Sequence, residues 1–207
     1  MTAPLTRAER LRQQTENEIL QAAFETFSEK GYHQTAISDI AQKLGMGHGT
    51  FYRYFKNKRD MIERVFEWKM EEITGLLLDE NAPDAVDSLQ DYIDQVHRIK
   101  RRLIDYSRGN LNAIRLLLIT SMSVDEDLSK KVYELIRFGG LLCSGYMKNG
   151  VDKDIFRPEL RCDGTADAIV SMIVMGGLHM LNTQHDEGWI ENYADSIVDL
   201  IVAGLRK

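Results

Sequence analysis

Little in this sequence breaks a helix. Its 207 residues contain three prolines, Pro4, Pro83 and Pro158, so long stretches lack the residue that removes a backbone donor and ends helices. Two cysteines, Cys143 and Cys162, do not make a disulfide framework in a chain of this length, and buried free thiols are the ordinary expectation. No apolar run approaches the roughly 18–20 residues that cross a bilayer. No amino-terminal stretch combines positive charge, an apolar run and a small-residue cleavage site. No membrane partner is expected, and the cytoplasm is the expected location. Alternation with period two is nowhere sustained, which argues against a sheet. Catalytic signatures are missing too: there is no G-x-S-x-G elbow, H-E-x-x-H, C-x-x-C or P-loop. His97 and His179 have no nucleophile at useful spacing. No enzyme, metal or cofactor is expected.

What is present suits a folded regulator. With 43% apolar and 28% charged residues, the chain can bury a core under a soluble surface, which excludes general disorder. The net charge of −6 argues at first against nucleic acid, but its distribution is uneven. Residues 1–69 hold eleven Lys/Arg against nine Asp/Glu, and the rest holds fifteen against twenty-three. A mildly basic head on an acidic body suits local phosphate binding.

Helical spacing dominates. Ile19, Leu20, Ala23, Phe24 and Phe27 form a stripe over residues 7–30, with Thr6 and Glu9 at capping-box spacing and Gly31 as the stop. A second helix is expected from Thr35, whose hydroxyl is placed to cap it, with Ile37, Ile40, Ala41 and Leu44 inward and Gly45 at its end. A short third helix follows. A fourth runs from Asn57 or Lys58 toward Leu78, and residues 79–84, with Asn81 and Pro83, break it. Ala85, Val86, Leu89, Tyr92, Ile93, Val96 and Ile99 mark a fifth. Arg108-Gly109-Asn110 reads as a turn before the apolar run 111–119. Residues 125–149 form another helix closed by Asn149-Gly150, residues 151–158 form an irregular connector, and residues 163–182 and 189–205 form the last two. The sum is all-α, with about nine helices.

Residues 35–54 carry the function. Two turns of helix, a glycine-containing turn and a second short helix make the unit that places its second helix in a major groove. Ile40, Leu44, Met46, Phe51 and Phe55 are expected to lock it together. That leaves His48, Gly49, Thr50, Tyr52, Arg53 and Tyr54 facing out. Tyr hydroxyls reach phosphates, Arg binds guanine edges bidentately, and glycine lets the backbone come close. Lys58, at the start of the next helix, is expected to add a phosphate contact. Arg7, Arg10 and Arg12 suit either a charged helix end or a minor-groove arm.

Over residues 35–61 the chain resembles the tetracycline-repressor-like (TetR) family. The family pattern T-x-x-x-x-I-A-x-x-x-G-V-S-x-G-x-x-Y-x-[YH]-F-x-x-K-x-x-[LM] is met from Thr35 to Met61 with two departures, and one of its variable positions also differs from common usage. Met46 replaces Val, Gly47 replaces the small hydroxyl residue that caps the recognition helix, and Ser38 stands where many members carry a cation. The resemblance implies a three-helix helix-turn-helix DNA-binding domain at residues 1–57 and a helical ligand-sensing and dimerisation domain at 58–207. Thr35, Ser38, Gly47, His48, Gly49, Thr50, Tyr52, Arg53, Tyr54 and Lys58 are the implied DNA contacts. The implied partners are a palindromic double-stranded operator, a second copy of the chain, and a small, largely apolar effector that releases a repressor. A helical protein-binding adaptor that does not read DNA is the alternative.

The resemblance also implies that the last two helices pair with their symmetry mates through Ile169, Ile173, Gly176, Gly177, Met180, Ile197, Leu200, Ile201 and Leu205. It further implies a ligand cavity among residues 59–182. Candidate lining residues are Tyr92, Val96, Leu103, Tyr106, Leu117, Tyr133, Phe138, Met147, Met172, Met175 and His179; ordinary core packing is the competing reading for each. Arg98, Lys100, Arg101, Arg102, Arg108 and Arg115 cluster in an otherwise acidic body. They fit either an anionic ligand with an apolar tail, such as an acyl thioester of coenzyme A, or cations favoured near a helix C-terminus.

Overall fold

The computed structural model describes residues 6–78, 86–181 and 188–205. Pro4, the break at 79–84, Ala85 and the expected helix end at Asn182 lie outside them. The described residues form nine α-helices and no strand, and the chain divides into two compact units, Met1–Lys69 and Met70–Lys207.

In the first unit, α1 (Arg7–Lys30) begins at the expected capping box. The Glu9 N–H donates to Thr6 Oγ1, and the Thr6 N–H donates to Glu9 Oε2 at 2.8 Å. It stops where Gly31 takes φ 80°, a value L side chains rarely adopt. Arg7, Arg10 and Arg12 are exposed on its first turns. The stripe from Ile19 to Phe27 is buried, and so are Ile40 and Ala41 of α2 (Ile37–Lys43), which α1 contacts, Phe51 of α3 (His48–Phe51), Phe55, and Met61, Ile62, Val65 and Phe66 of α4 (Lys58–Leu78). Asn57 caps α4, its Oδ1 accepting from the Asp60 N–H at 2.8 Å.

The second unit is built on α5 (Leu89–Gly109), α6 (Leu111–Arg115), α7 (Glu126–Asp152), α8 (Cys162–Met180) and α9 (Trp189–Leu205). Helix α5 starts later than the apolar pattern implies. Ser88 caps it, accepting from the Asp91 N–H, and Val86 is buried ahead of it. The turn expected at 108–110 narrows to Asn110, which ends α5 and precedes α6. The apolar run then continues as a π-helical turn, Leu116–Thr120, and a 3₁₀ turn, Ser121–Ser123.

Helix α7 does not end at Asn149-Gly150. It runs on to Asp152, and Asp154, with φ 58°, makes the left-handed turn. The Asp154 N–H reaches the Val151 carbonyl and the Ile155 N–H reaches that of Gly150, closing a Schellman motif. Gly150 is needed for another reason: the Phe156 ring lies against it, where a β-carbon would stand 2.1 Å from Cε2. Around that contact Tyr92, Met147, Leu160, Ile169 and Leu205 form one core.

Candidate nucleic-acid interface

The turn between α2 and α3 is fixed by backbone geometry. Gly45 takes φ 61°, its N–H donates to the Gln42 carbonyl at 3.0 Å, and the Met46 N–H donates to that of Ala41 at 2.9 Å. This is again a Schellman closure, and it sets the angle at which the chain leaves α2. Beyond α3, the Arg53, Tyr54 and Phe55 amides close successive tight turns on Thr50 and Phe51.

Two rings hold this segment down. Phe51 and Phe55 are 0% and 1% exposed and pack at 5.7 Å between centroids. Ile40 is fully buried as expected, whereas Leu44, Met46 and Ile37 are half-buried. Tyr52 is 53% exposed, with Arg53, Gly47, Gly49 and, on α2, Ser38 also exposed; Thr50 and Tyr54 are half-exposed. The His48 side chain lies outside the described residues. An exposed arginine and tyrosine between two buried phenylalanines give a rigid edge with one bidentate donor and a hydroxyl.

Two expected contacts are corrected. Thr35 is 2% exposed, and its hydroxyl donates to the Gly31 carbonyl at 2.8 Å. It neither faces a ligand nor caps α2. That helix takes Ala36 as its cap residue, and the Asp39 carboxylate accepts the Ala36 N–H at 2.9 Å while pairing with Lys30 at 3.0 Å. These partners, the backbone amide first, hold the Asp39 carboxyl below its ordinary range. Lys58 does not reach outward either. Its Nζ donates to the carbonyls of Tyr32, His33 and Thr35 at 2.9, 3.3 and 2.9 Å, so the three protons of the ammonium are already engaged. Lys56, two residues before Lys58, is exposed, as is Arg53; the spacing did not single it out, and counting outward positions past Phe55 would have found it.

In the second unit the candidate effector residues separate. A cavity of about 160 Å³ lies among α7, α8, α9 and the connector, and of the expected lining it contains Met147 and Met172, beside Leu160, Ile169 and Ile201. Tyr133 and Met175 are 61% and 48% exposed and line no interior. Tyr92 and Leu117 are close-packed core, Tyr92 edge-on to Phe156 at 4.7 Å. Val96 packs on the same core, and Leu103 and Phe138 are half-buried. The Tyr106 hydroxyl donates to Glu72 at 3.0 Å, and His179 sits 5.1 Å from the Trp189 ring.

The expected pairing face also shrinks. Ile169, Ile197 and Leu205 are buried within the protomer. Gly176 makes room for Tyr193, and Gly177 lies close to Ile114 and Leu118, so the glycines serve approach inside one chain. Ile173 and Leu200 remain exposed, at 41% and 62%, while Met180 and Ile201 are half-buried. Of the basic cluster, Lys100 pairs with Asp195 and Arg108 with Glu191, both across to α9.

A buried helix-turn-helix scaffold with an outward aromatic and basic edge defines a DNA-binding regulator. Residues 19–65 match the family described as bacterial regulatory proteins, tetR family. The HTH-type transcriptional regulator YfiR of Bacillus subtilis is 30% identical over 149 residues, covering 68% of this chain and 67% of that protein. The fatty acid metabolism regulator protein of the same species is 26% identical over 205 residues, covering 91% and 94%. The crystal structure of FadR from Bacillus subtilis in complex with stearoyl-CoA shares the fold, with a TM-score of 0.70 at 23% identity over 92% of this chain and 99% of that one. The chain belongs to the TetR family of helix-turn-helix transcriptional regulators. The adaptor alternative falls with that assignment, and no described helix is long and apolar enough to cross a membrane.

Proposed function

We propose that the chain is a homodimeric repressor that binds a palindromic operator through α3 and releases it on binding a fatty acyl thioester of coenzyme A. Residues 1–57 act as the reading domain and 58–207 as the sensing and pairing domain. The observation that carries the DNA reading is the alternation of buried Phe51 and Phe55 with exposed Tyr52 and Arg53. Tyr52, Tyr54, Thr50 and Lys56 serve as phosphate contacts, Arg53 and His48 as base readers, and Gly47, Gly49 and Ser38 permit close approach. Two such segments related by a dyad read two half-sites.

The effector class rests on similarity across both units to a fatty acid metabolism regulator, and on the fold shared with a FadR that binds stearoyl-CoA. Exposed Arg98, Arg101 and Arg115 suit the phosphates of such a ligand. The cavity of about 160 Å³ is below the ~300–1,000 Å³ of sites for drug-sized ligands, so an acyl chain must enlarge it. Met147 and Met172 on its wall are side chains that re-pack readily.

Selection of bound duplexes from a random pool, followed by challenge with stearoyl-CoA, coenzyme A and stearate, tests both halves. A dyad-symmetric consensus released by stearoyl-CoA is expected. Recovery of no consensus would refute the operator reading, and a complex that resists every acyl-CoA but yields to other lipophiles would refute the effector class.

A further inference from the structure

Lys58 is the first residue of α4, immediately beyond the reading segment. The loop it grips, residues 31–36, enters α2, the first helix of the same motif. Its ammonium thus bridges the entry and exit of the helix-turn-helix across 23 to 26 residues of chain. Three features fit it for that place. The carbonyls of Tyr32, His33 and Thr35 lie just past the C-terminus of α1, where partial negative charge gathers. The Tyr32 ring lies under the charge, 4.5 Å from Nζ, and its face attracts a cation. The Thr35 hydroxyl is turned away to Gly31, which leaves its carbonyl for the lysine.

We infer that Lys58 is a positioning residue for DNA recognition: it clamps the α1–α2 loop to the start of α4 and so sets the pose of α3, rather than neutralising a phosphate itself. The inference rests on the reading of α3 as the DNA contact. A phosphate ligand contributes charge that any duplex feels, and its loss lowers the salt dependence of binding. A clamp contributes geometry, which matters most where bases are read. Neighbouring Lys56 is exposed and provides the internal comparison.

The full-length wild-type protein is labelled briefly with an amine-acylating reagent, alone and on a saturating random-sequence duplex, and each lysine is quantified by peptide mass spectrometry. In free protein Lys58 is expected to label about tenfold or more slowly than Lys56, because its hydrogen bonds must first open, and the duplex is expected to slow Lys56, the proposed phosphate contact, far more than Lys58. Equal labelling of the two in free protein, with Lys58 protected only by the duplex, overturns the inference. Lys58→Met supplies the second readout. Affinity for a selected operator is expected to fall about tenfold or more, with a smaller loss on random duplex and the wild-type slope of log affinity against log salt. Equal losses on both duplexes, with the slope reduced by about 0.9 per protomer, overturn it as well. If Lys58→Met does not fold, the labelling of the wild type decides alone. A chain that binds no duplex still yields the contrast between Lys56 and Lys58 in free protein, so failure of the operator reading and failure of the clamp are distinguishable.

Discussion

The Phe156 ring rests on the backbone of Gly150, with Cε2 and Cδ2 standing 2.1 and 2.2 Å from where a β-carbon would be. Phe156 is 1% exposed and also meets Tyr92 edge-on, so the ring has little space into which to retreat. Helix propensity alone favours alanine over glycine at such a position by about 1 kcal/mol. Packing opposes it, and a buried aromatic that must shift costs about 1–3 kcal/mol.

Gly150→Ala is therefore expected to destabilise the protein despite its better helix propensity. Thermal unfolding checks this: a raised melting temperature would show that the ring moves freely.

Arg53→Ala is expected to relax preference at one base step of the selected operator, at a cost of about 1–3 kcal/mol, with little change on random DNA. Tyr54→Ala is expected to weaken binding to all duplexes alike. Equal losses on specific and random DNA for Arg53→Ala would reassign that side chain to phosphate.

Asp39 is held ionised by the Ala36 amide and Lys30. A carboxyl depressed in the folded state adds stability above its unfolded pKa and loses it as pH falls through the folded one. The advantage of wild type over Asp39→Asn in urea unfolding is expected to be full at neutral pH. It should shrink as pH drops below the ordinary carboxylate value of 3.8. An advantage independent of pH would remove the cap role.

Burial, with Asp167 adding to it, pushes the Cys143 thiol up to about 11. Since the thiolate is the reactive form, Cys143 is expected to resist iodoacetamide near pH 8 in the folded protein and to react once it is unfolded. Rapid alkylation of the native thiol would contradict its placement.

Helix positions were legible in the sequence because apolar spacing and local caps are short-range signals. Thr6, Glu9, Gly31 and Gly45 each act within a few residues, and each is found in its expected role. Where two readings compete locally, the fold chooses by long-range contact. Thr35 and Asp39 can both cap α2, and burial of Thr35 decides for Asp39. Asn149-Gly150 has the form of a helix stop, but the glycine answers to a ring six residues on. Gly176 suits contact between chains until Tyr193 is seen to cover it. Lys58 matches a family lysine in sequence, and nothing in spacing reveals three carbonyls turned toward it. The π-helical turn at Leu116–Thr120 has no pattern of its own, because its side chains are as apolar as those of an α-helix there.

The separation of Phe51 and Phe55 from Tyr52 and Arg53 has a consequence for descent. The side chains that fold the motif and those that face outward are different sets, interleaved along five residues. If the proposed reading of α3 holds, drift at Thr50, Tyr52 and Arg53 can change which operators are bound while leaving thermal tolerance almost untouched. A gene copy freed by duplication thus has a short mutational path to a new regulon.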